Sequence, residues 1–338
     1  MGPTVWVWLQ FAGCVLLIGA AGSRLSRYGD VIAEKTGFSG TWIGVVMLAT
    51  VTSLPELATG ISAVSLVDEP DLAVGDVLGS CVFNLFIIFV LDFLHRKESV
   101  YTRASQGHIL SAGFGIMMLG FAGFSLLVSS QGQVVRIGHV GLYSPLILVL
   151  YVLAMRTVFR YEHDKKKESA KQVEEVYGHL SFRRAVVGYS VAAAVVVGVG
   201  TWLPFVGRQI AHLMGWETTF VGTLFVAFAT SVPEVVVTLT ALRIGALDMA
   251  IGNVLGSNLF NVAILAVDDI FYLPGPLFDH VSPIHSVSAV SAIMMSGIAI
   301  VGLLYRPTTD LFRKVGWISL FLFLVYLLNS YVIYLYES

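Results

Sequence analysis

Ten stretches of the chain are apolar over enough residues to cross about 30 Å of hydrocarbon: 5–22, 42–66, 72–94, 107–128, 141–159, 185–203, 218–242, 247–272, 284–305 and 315–336. Polar positions gather in the nine connections between them, which predicts ten transmembrane helices. Two of the apolar runs are broken by the same polar phrase. Thr52-Ser53-Leu54-Pro55-Glu56 returns 178 positions later as Thr230-Ser231-Val232-Pro233-Glu234. A carboxylate near a bilayer centre costs a few kcal/mol on insertion scales, so an acid inside a span marks a functional site by default. Glu56 and Glu234 each fall within a few residues of the midpoint of their run.

The phrase belongs to a longer repeat. At the same offset Gly22, Leu25, Gly29, Ile32, Gly37, Gly44 and Ala63 meet Gly200, Leu203, Gly207, Ile210, Gly215, Gly222 and Ala241. One residue is then lost, and at an offset of 177 Asp71, Gly75, Gly79, Ser80 and Asn84 meet Asp248, Gly252, Gly256, Ser257 and Asn261. Five spans lie on each side of a polar segment, 160–184, which holds Lys165-Lys166-Lys167. An odd number of spans per copy sends the second copy into the bilayer from the opposite face. The expected fold is therefore an all-α polytopic membrane protein of two inverted five-helix repeats, 1–159 and 185–338, joined by a charged cytoplasmic linker at 160–184.

Composition agrees: 56% of residues are hydrophobic and 12% charged, and mean hydropathy is +0.81, values outside the soluble globular range. The net charge of −2 separates no function classes, but the placement of charge does. With the N-terminus outside, every Lys and Arg except Arg136 and Arg208 lies on the inner side, as the positive-inside rule requires. Both termini are then outside. Asp68, Glu69 and Asp71 form an acidic outer turn that either raises local cation concentration or is simply solvated. The first run has no basic stretch before it and no small-residue cleavage site after it, so it reads as a span and not a signal peptide. Cys14 and Cys81 are too few and too buried for a disulfide framework.

On a helix Thr52, Ser53 and Glu56 share a face, as do Ser80 and Asn84. Proline before each glutamate lacks an N–H and frees carbonyl oxygens near Val51 or Thr52 and near Ala229 or Thr230. Carbonyls, hydroxyls, amide oxygens and two carboxylates make an all-oxygen set suited to hard cations such as Ca²⁺ or Na⁺. Two carboxylates meeting there repel unless a cation or proton joins them, so two cations can compete for the same charge. Gly75, Gly79, Gly252 and Gly256 follow the small-xxx-small pattern of close helix packing.

The paired motifs resemble those of the cation/calcium exchanger superfamily, in particular the prokaryotic sodium/calcium exchangers. The first runs Ala49-Thr50-Val51-Thr52-Ser53-Leu54-Pro55-Glu56 with Gly75-Asp76-Val77-Leu78-Gly79-Ser80-Cys81-Val82-Phe83-Asn84. The second runs Ala229-Thr230-Ser231-Val232-Pro233-Glu234 with Gly252-Asn253-Val254-Leu255-Gly256-Ser257-Asn258-Leu259-Phe260-Asn261. The resemblance implies Glu56 and Glu234 as shared ligands of Ca²⁺ and Na⁺. It also implies backbone oxygens from Thr52, Thr230, Ala49 and Ala227, hydroxyls from Ser53, Ser80, Ser231 and Ser257, and amides from Asn84 and Asn261. The first and sixth helices, long and tilted, would slide past this core to alternate access.

Departures from the family pattern are Asn261 in place of Asp, Val51 in place of Gly, and Asp76 and Cys81 in place of Asn. Asp76 reads either as a further ion or proton site or as a hydrated acid near a helix end; Cys81 reads as packing. Asp92 and Asp269 pair eight residues past each asparagine, as helix-end acids facing headgroups or as vestibule acids. His108, His280 and His285 sit near span ends, where a satisfied histidine is ordinary. Trp6, Trp8, Trp42, Trp317 and Tyr334 read as interfacial anchors.

Together these features predict an antiporter in a bacterial or archaeal inner membrane, exchanging Na⁺ for Ca²⁺. The same fold driven by H⁺, or carrying Mg²⁺ or Mn²⁺, is the alternative. Its expected partners are the transported ions and lipid, with no nucleic acid and no cofactor. An intramembrane enzyme is disfavoured, because no H-E-x-x-H or G-x-S-x-G motif is present. A channel is disfavoured because paired broken helices are a transporter device.

Overall fold

The computed structural model describes residues 2–35, 49–95, 99–132, 135–167, 181–306 and 316–337. Among the described residues ten helical segments of more than a dozen residues follow one another: α1 (Pro3–Lys35), α2 (Leu54–Val67), α3 (Pro70–Leu94), α4 (Gly107–Ser129), α5 (Tyr143–Lys167), α6 (Phe182–Met214), α7, α8 (Leu247–Phe271), α9 (His285–Tyr305) and α10 (Trp317–Glu337). The seventh is split into α7a (Thr218–Thr230) and α7b (Val232–Arg243), bent by 43°. Among the described residues eight helices are long and apolar enough to span a bilayer, and nine if α7 counts as one. The chain is an integral membrane protein. Residues 42–48 of the expected second span, with Trp42, Gly37 and Gly44, lie outside the described residues, as does 168–180 of the expected linker.

Three boundaries differ from the hydropathy pattern. Helices α1 and α6 each run 33 residues, well past the expected 5–22 and 185–203, because a charged or amide residue ends an apolar run without ending a helix. At 1.5 Å per residue each is about 50 Å long, so a bilayer accommodates them only tilted. Helix α5 continues to Lys167 and α6 begins at Phe182, so both ends of the 160–184 segment are helical. A small antiparallel hairpin that hydropathy cannot show, β1 (Arg136–Ile137) with β2 (Val140–Gly141), turns at Gly138 with φ 67°.

Helices α3 and α8 form the centre of the bundle, buried on most sides between the other helices. Their glycines set the spacing. A Cβ on Gly75 would meet the Thr223 amide nitrogen at 3.0 Å, and one on Gly222 would meet the Leu72 carbonyl at 2.9 Å, so α3 and α7a touch backbone to backbone as small residues permit.

The bundle ends are pinned by two pairs of mirrored carboxylates. Asp71 accepts from the His285 ring (2.9 Å) and the Ser282 amide (2.7 Å). Asp248 accepts from the His108 ring (3.0 Å) and the Ser105 amide (2.7 Å). The acidic turn of Asp68, Glu69 and Asp71 is thus partly committed to structure, since Glu69 also pairs with Arg208 at 3.1 Å. His280 contacts the Pro276 carbonyl at 3.0 Å, so each of the three histidines has at least one hydrogen-bond partner, while the buried His285 Nδ1 has none.

Asp92 and Asp269 correct the reading of them as headgroup-facing or vestibule acids. Asp92 is 3% exposed and gathers Ser99, the Val100 amide, the Gly316 amide and Ser319. Asp269 is fully buried and gathers Tyr143, Ser144 and the amides of Gly141 and Leu277. Each carboxylate replaces water by four protein donors that fasten a loop to a neighbouring helix.

Candidate functional site

Both signature phrases break their helices. Pro55 and Pro233 have no N–H to offer the carbonyls of Val51 and Ala229, four residues back. Around the break the bonds resume: the amides of Ser53 and Ser231 reach Ala49 and Ala227 at 3.1 Å, and those of Leu57 and Val235 reach Ser53 and Ser231 at 3.2 Å. Ser53 (φ −89°, ψ 14°) and Ser231 (φ −82°, ψ 4°) take matching conformations at the two hinges, in the sparsely used bridge region. Each break is crossed by a long helix at a glycine. A Cβ on Gly22 of α1 would lie 2.5 Å from the Pro233 ring, and one on Gly200 of α6 would lie 3.2 Å from the Pro55 carbonyl.

The hinges aim the polar side chains at one another. Ser53 donates to Glu234 Oε1 at 3.1 Å, and Ser231 donates to Glu56 Oε1 at 3.2 Å, so each glutamate is held by the serine three residues before the other. Around this cross lie two matched arms. Thr52 lies 3.4 Å from Asn253 Oδ1 and 3.3 Å from the Ser257 hydroxyl. Thr230 donates to Asp76 Oδ1 at 2.8 Å and lies 3.4 Å from the Ser80 hydroxyl. The Ser231 hydroxyl also lies 3.0 Å from that of Ser80. All of these side chains are fully buried.

Eleven of the thirteen residues expected at the site fall into this one region: Glu56, Glu234, Thr52, Ser53, Thr230, Ser231, Ser80, Ser257, Ala49, Ala227 and Asp76, while Asn84 belongs to a separate bonded pair. The carbonyl of Ala49 accepts from Thr52 and that of Ala227 from Thr230, each at 3.2 Å. Asn84 donates to Asn258 Oδ1 at 3.1 Å, which in turn donates to the Cys81 carbonyl at 3.0 Å. Asn261, the thirteenth, is fully buried on α8 at the position paired with Asn84, and neither of its amide atoms has a hydrogen-bond partner. Asp76 is a buried, hydrogen-bonded acid, not a hydrated one. Cys81 is fully buried, its thiol 3.9 Å from the Asn258 carbonyl.

Asn253 and Asn258 carry no role that spacing or composition alone assigns. The repeat offset held the signal, since they are the counterparts of Asp76 and Cys81, and each bonds across the interface between halves.

Chemically, the region presents oxygen that the protein itself leaves unpartnered. Glu56 Oε2, Glu234 Oε2, Asp76 Oδ2, Asn84 Oδ1 and Asn261 Oδ1 are buried and have no hydrogen-bond partner. An orphaned buried acceptor costs about 1–3 kcal/mol, and a charged one more, so five together mark a place built for something other than protein. Carboxylate, amide and hydroxyl oxygens suit a hard cation. Among the described residues no cluster of three or more His, Cys, Asp or Glu is arranged to hold a metal, so any cation here relies on neutral oxygens as well as carboxylates.

Comparison with known proteins agrees with the fold. The chain is 26% identical over 328 residues to the inner membrane protein YrbG of Escherichia coli strain K12, with 96% of each chain covered. A solved sodium-calcium exchanger, NCX_Mj, superposes with a TM-score of 0.61 at 22% identity, covering 96% of this chain and 98% of its own. An H⁺/Ca²⁺ exchanger, CAX, superposes with a TM-score of 0.71 at 15% identity, covering 98% and 85%. At those identities the two structures speak for the fold alone. The model of the sodium/calcium exchanger protein family matches residues 6–159 and 184–332, and the chain belongs to that family.

Proposed function

We propose that the protein exchanges Na⁺ for Ca²⁺ across the membrane, with Glu56 and Glu234 as the carboxylates that both ions use in turn. That it is a cation exchanger of the calcium-transporting kind follows from its family. The observation that carries the finer reading is the reciprocal Ser53–Glu234 and Ser231–Glu56 bonding. It holds two acids together in a buried site and leaves one oxygen of each unpartnered. Two negative charges so placed repel at low effective dielectric unless a cation sits with them. One Ca²⁺ neutralises both, and monovalent ions can do so only in greater number, which makes the two occupancies mutually exclusive.

Thr52, Thr230, Ala49 and Ala227 would add backbone oxygens, and Ser53, Ser80, Ser231 and Ser257 hydroxyls. Asn84, Asn261 and Asp76 would complete the set. Residues 1–159 and 185–338 would act as inverted repeats with 160–184 cytoplasmic and both termini outside. In this reading α1 and α6, which contact the hinges through Gly22 and Gly200, move across them to open one side at a time.

A second reading, H⁺ as the driving ion, has a specific support: Asp76 places a third carboxylate beside the pair, with its Oδ2 unpartnered. Radiolabelled calcium uptake into proteoliposomes separates the two. A Na⁺ gradient at equal pH drives uptake if the first reading holds. Uptake driven by a pH gradient alone, with no response to Na⁺, overturns it.

A further inference from the structure

Asp268 of α8 is a fully buried acid that the exchange site does not use. Neither carboxylate oxygen has a hydrogen-bond partner, although its neighbour Asp269 has four donors. The side chain lies directly over Gly60 of α2, where an added Cβ would fall 2.5 Å from both oxygens. Gly60 is one helical turn beyond Glu56, about 6 Å along the axis, on the side that the proposed orientation makes outer. The niche exists because position 60 has no side chain.

The repeat makes the niche a departure from symmetry. The counterpart of Asp268 is Leu91, and that of Gly60 is Thr238. Leu91 is fully buried, and Thr238 accepts from Asn253 at 3.3 Å. The inner half therefore fills with leucine and threonine the place where the outer half holds a bare acid over a glycine. Burying a charge without a partner is so costly that the group acquires one or loses the charge.

We propose that Asp268 is a proton-binding site on the outer half of the passage, distinct from the central oxygen set. The carboxylate takes H⁺ from hydronium, an O–H bond forms on one oxygen, and water leaves. A metal ion fits less well: Ca²⁺ takes six to eight oxygens, and this niche offers one carboxylate facing a glycine Cα. The charges acting on Asp268 are Asp76 of α3 and Asp269, both acids. On the other elements packed against α8, Glu56 of α2 and Glu234 of α7b lie toward the centre. Tyr143 of α5, with Asp279 and His280 of the 3₁₀ turn Leu277–His280, lie at the outer end. The inference rests on the membrane reading and its orientation, not on which ion drives exchange.

Infrared difference spectra of the full chain in lipid nanodiscs, recorded through a pH titration, test it. Wild type is expected to show a protonated-carboxyl band that is lost in Asp268→Asn and in Asp268→Leu, the residue carried at the paired position. Gly60→Ala keeps the acid and is expected to shift the band. In proteoliposomes Asp268→Asn is expected to flatten the dependence of calcium uptake on external pH. Survival of the full band in both Asp268 variants overturns the proposal. So does a band that responds to Na⁺ and not to pH, which would assign a sodium ion instead. If wild type moves no calcium, the exchanger reading fails while the spectra still decide Asp268.

Discussion

Gly79 brings α3 against α7a, and replacing it by alanine probes how tightly the site depends on that contact. The new Cβ would lie 2.3 Å from the Thr223 carbonyl oxygen, 2.8 Å from the Thr223 Cα and 2.9 Å from the Ala227 Cβ. The two nearest are backbone atoms, so no rotamer change relieves them. Recovering an ordinary contact near 3.4 Å requires the helices to part by about 1 Å. Ser80, the next residue, lies 3.4 Å from the Ala227 carbonyl and 3.0 Å from Ser231, and parting on that scale carries the first beyond hydrogen-bonding distance. Overpacking costs about 1–3 kcal/mol, which corresponds to calcium binding weaker by about fivefold to a hundredfold if the strain falls on the site. The assay is calcium titration of the purified protein beside its thermal unfolding, with Gly297→Ala as control, since a Cβ there meets nothing within 4 Å. If Gly79→Ala binds calcium and unfolds as Gly297→Ala does, the backbone contact does not position the site.

Glu56→Gln and Glu234→Gln are each expected to abolish exchange while inserting normally; substantial residual uptake in both counts heavily against the shared-carboxylate mechanism. Ser53→Ala and Ser231→Ala remove one hydroxyl from the opposite glutamate, a bond to a charged group worth about 1.5–3 kcal/mol, so calcium affinity should fall roughly tenfold or more in each. Equal binding in either variant would show that the reciprocal bonds do not hold the acids. Asp269→Asn sets an amide N–H₂ among four donors, and its unfolding temperature and membrane yield should drop, while uptake per folded molecule stays near wild type. A selective loss of transport at unchanged stability would return Asp269 to the ion path.

Much of the site was legible because its two copies share a period. Thr52, Ser53, Glu56, Ser80 and Asn84 could be placed on helix faces by spacing alone, and the repeat located their partners. What periodicity does not reveal is which polar group meets which donor. Asp92 and Asp269 read as headgroup acids because their donors come from elements distant in sequence: Ser319 lies on α10 and Tyr143 on α5. Asn253 and Asn258 looked incidental until their bonds to Thr52 and Asn84 crossed the interface. The lengths of α1 and α6 escaped hydropathy because charged residues such as Arg24 and Arg27 end an apolar run while leaving the backbone helical. The π-helical turns at Ala63–Val67 and Gly222–Val226 leave no mark that composition detects. Asp268 stands apart for the opposite reason: it breaks the repeat, and a reading that follows matched pairs passes over it.

The central claim is that Glu56 and Glu234 hold one cation between them. Anomalous diffraction from crystals grown with a calcium surrogate such as Sr²⁺ tests it directly. The account predicts a peak bridging the two carboxylates, diminished when Na⁺ is raised. A strontium peak elsewhere in the protein, with the region between Glu56 and Glu234 lacking one, would contradict it.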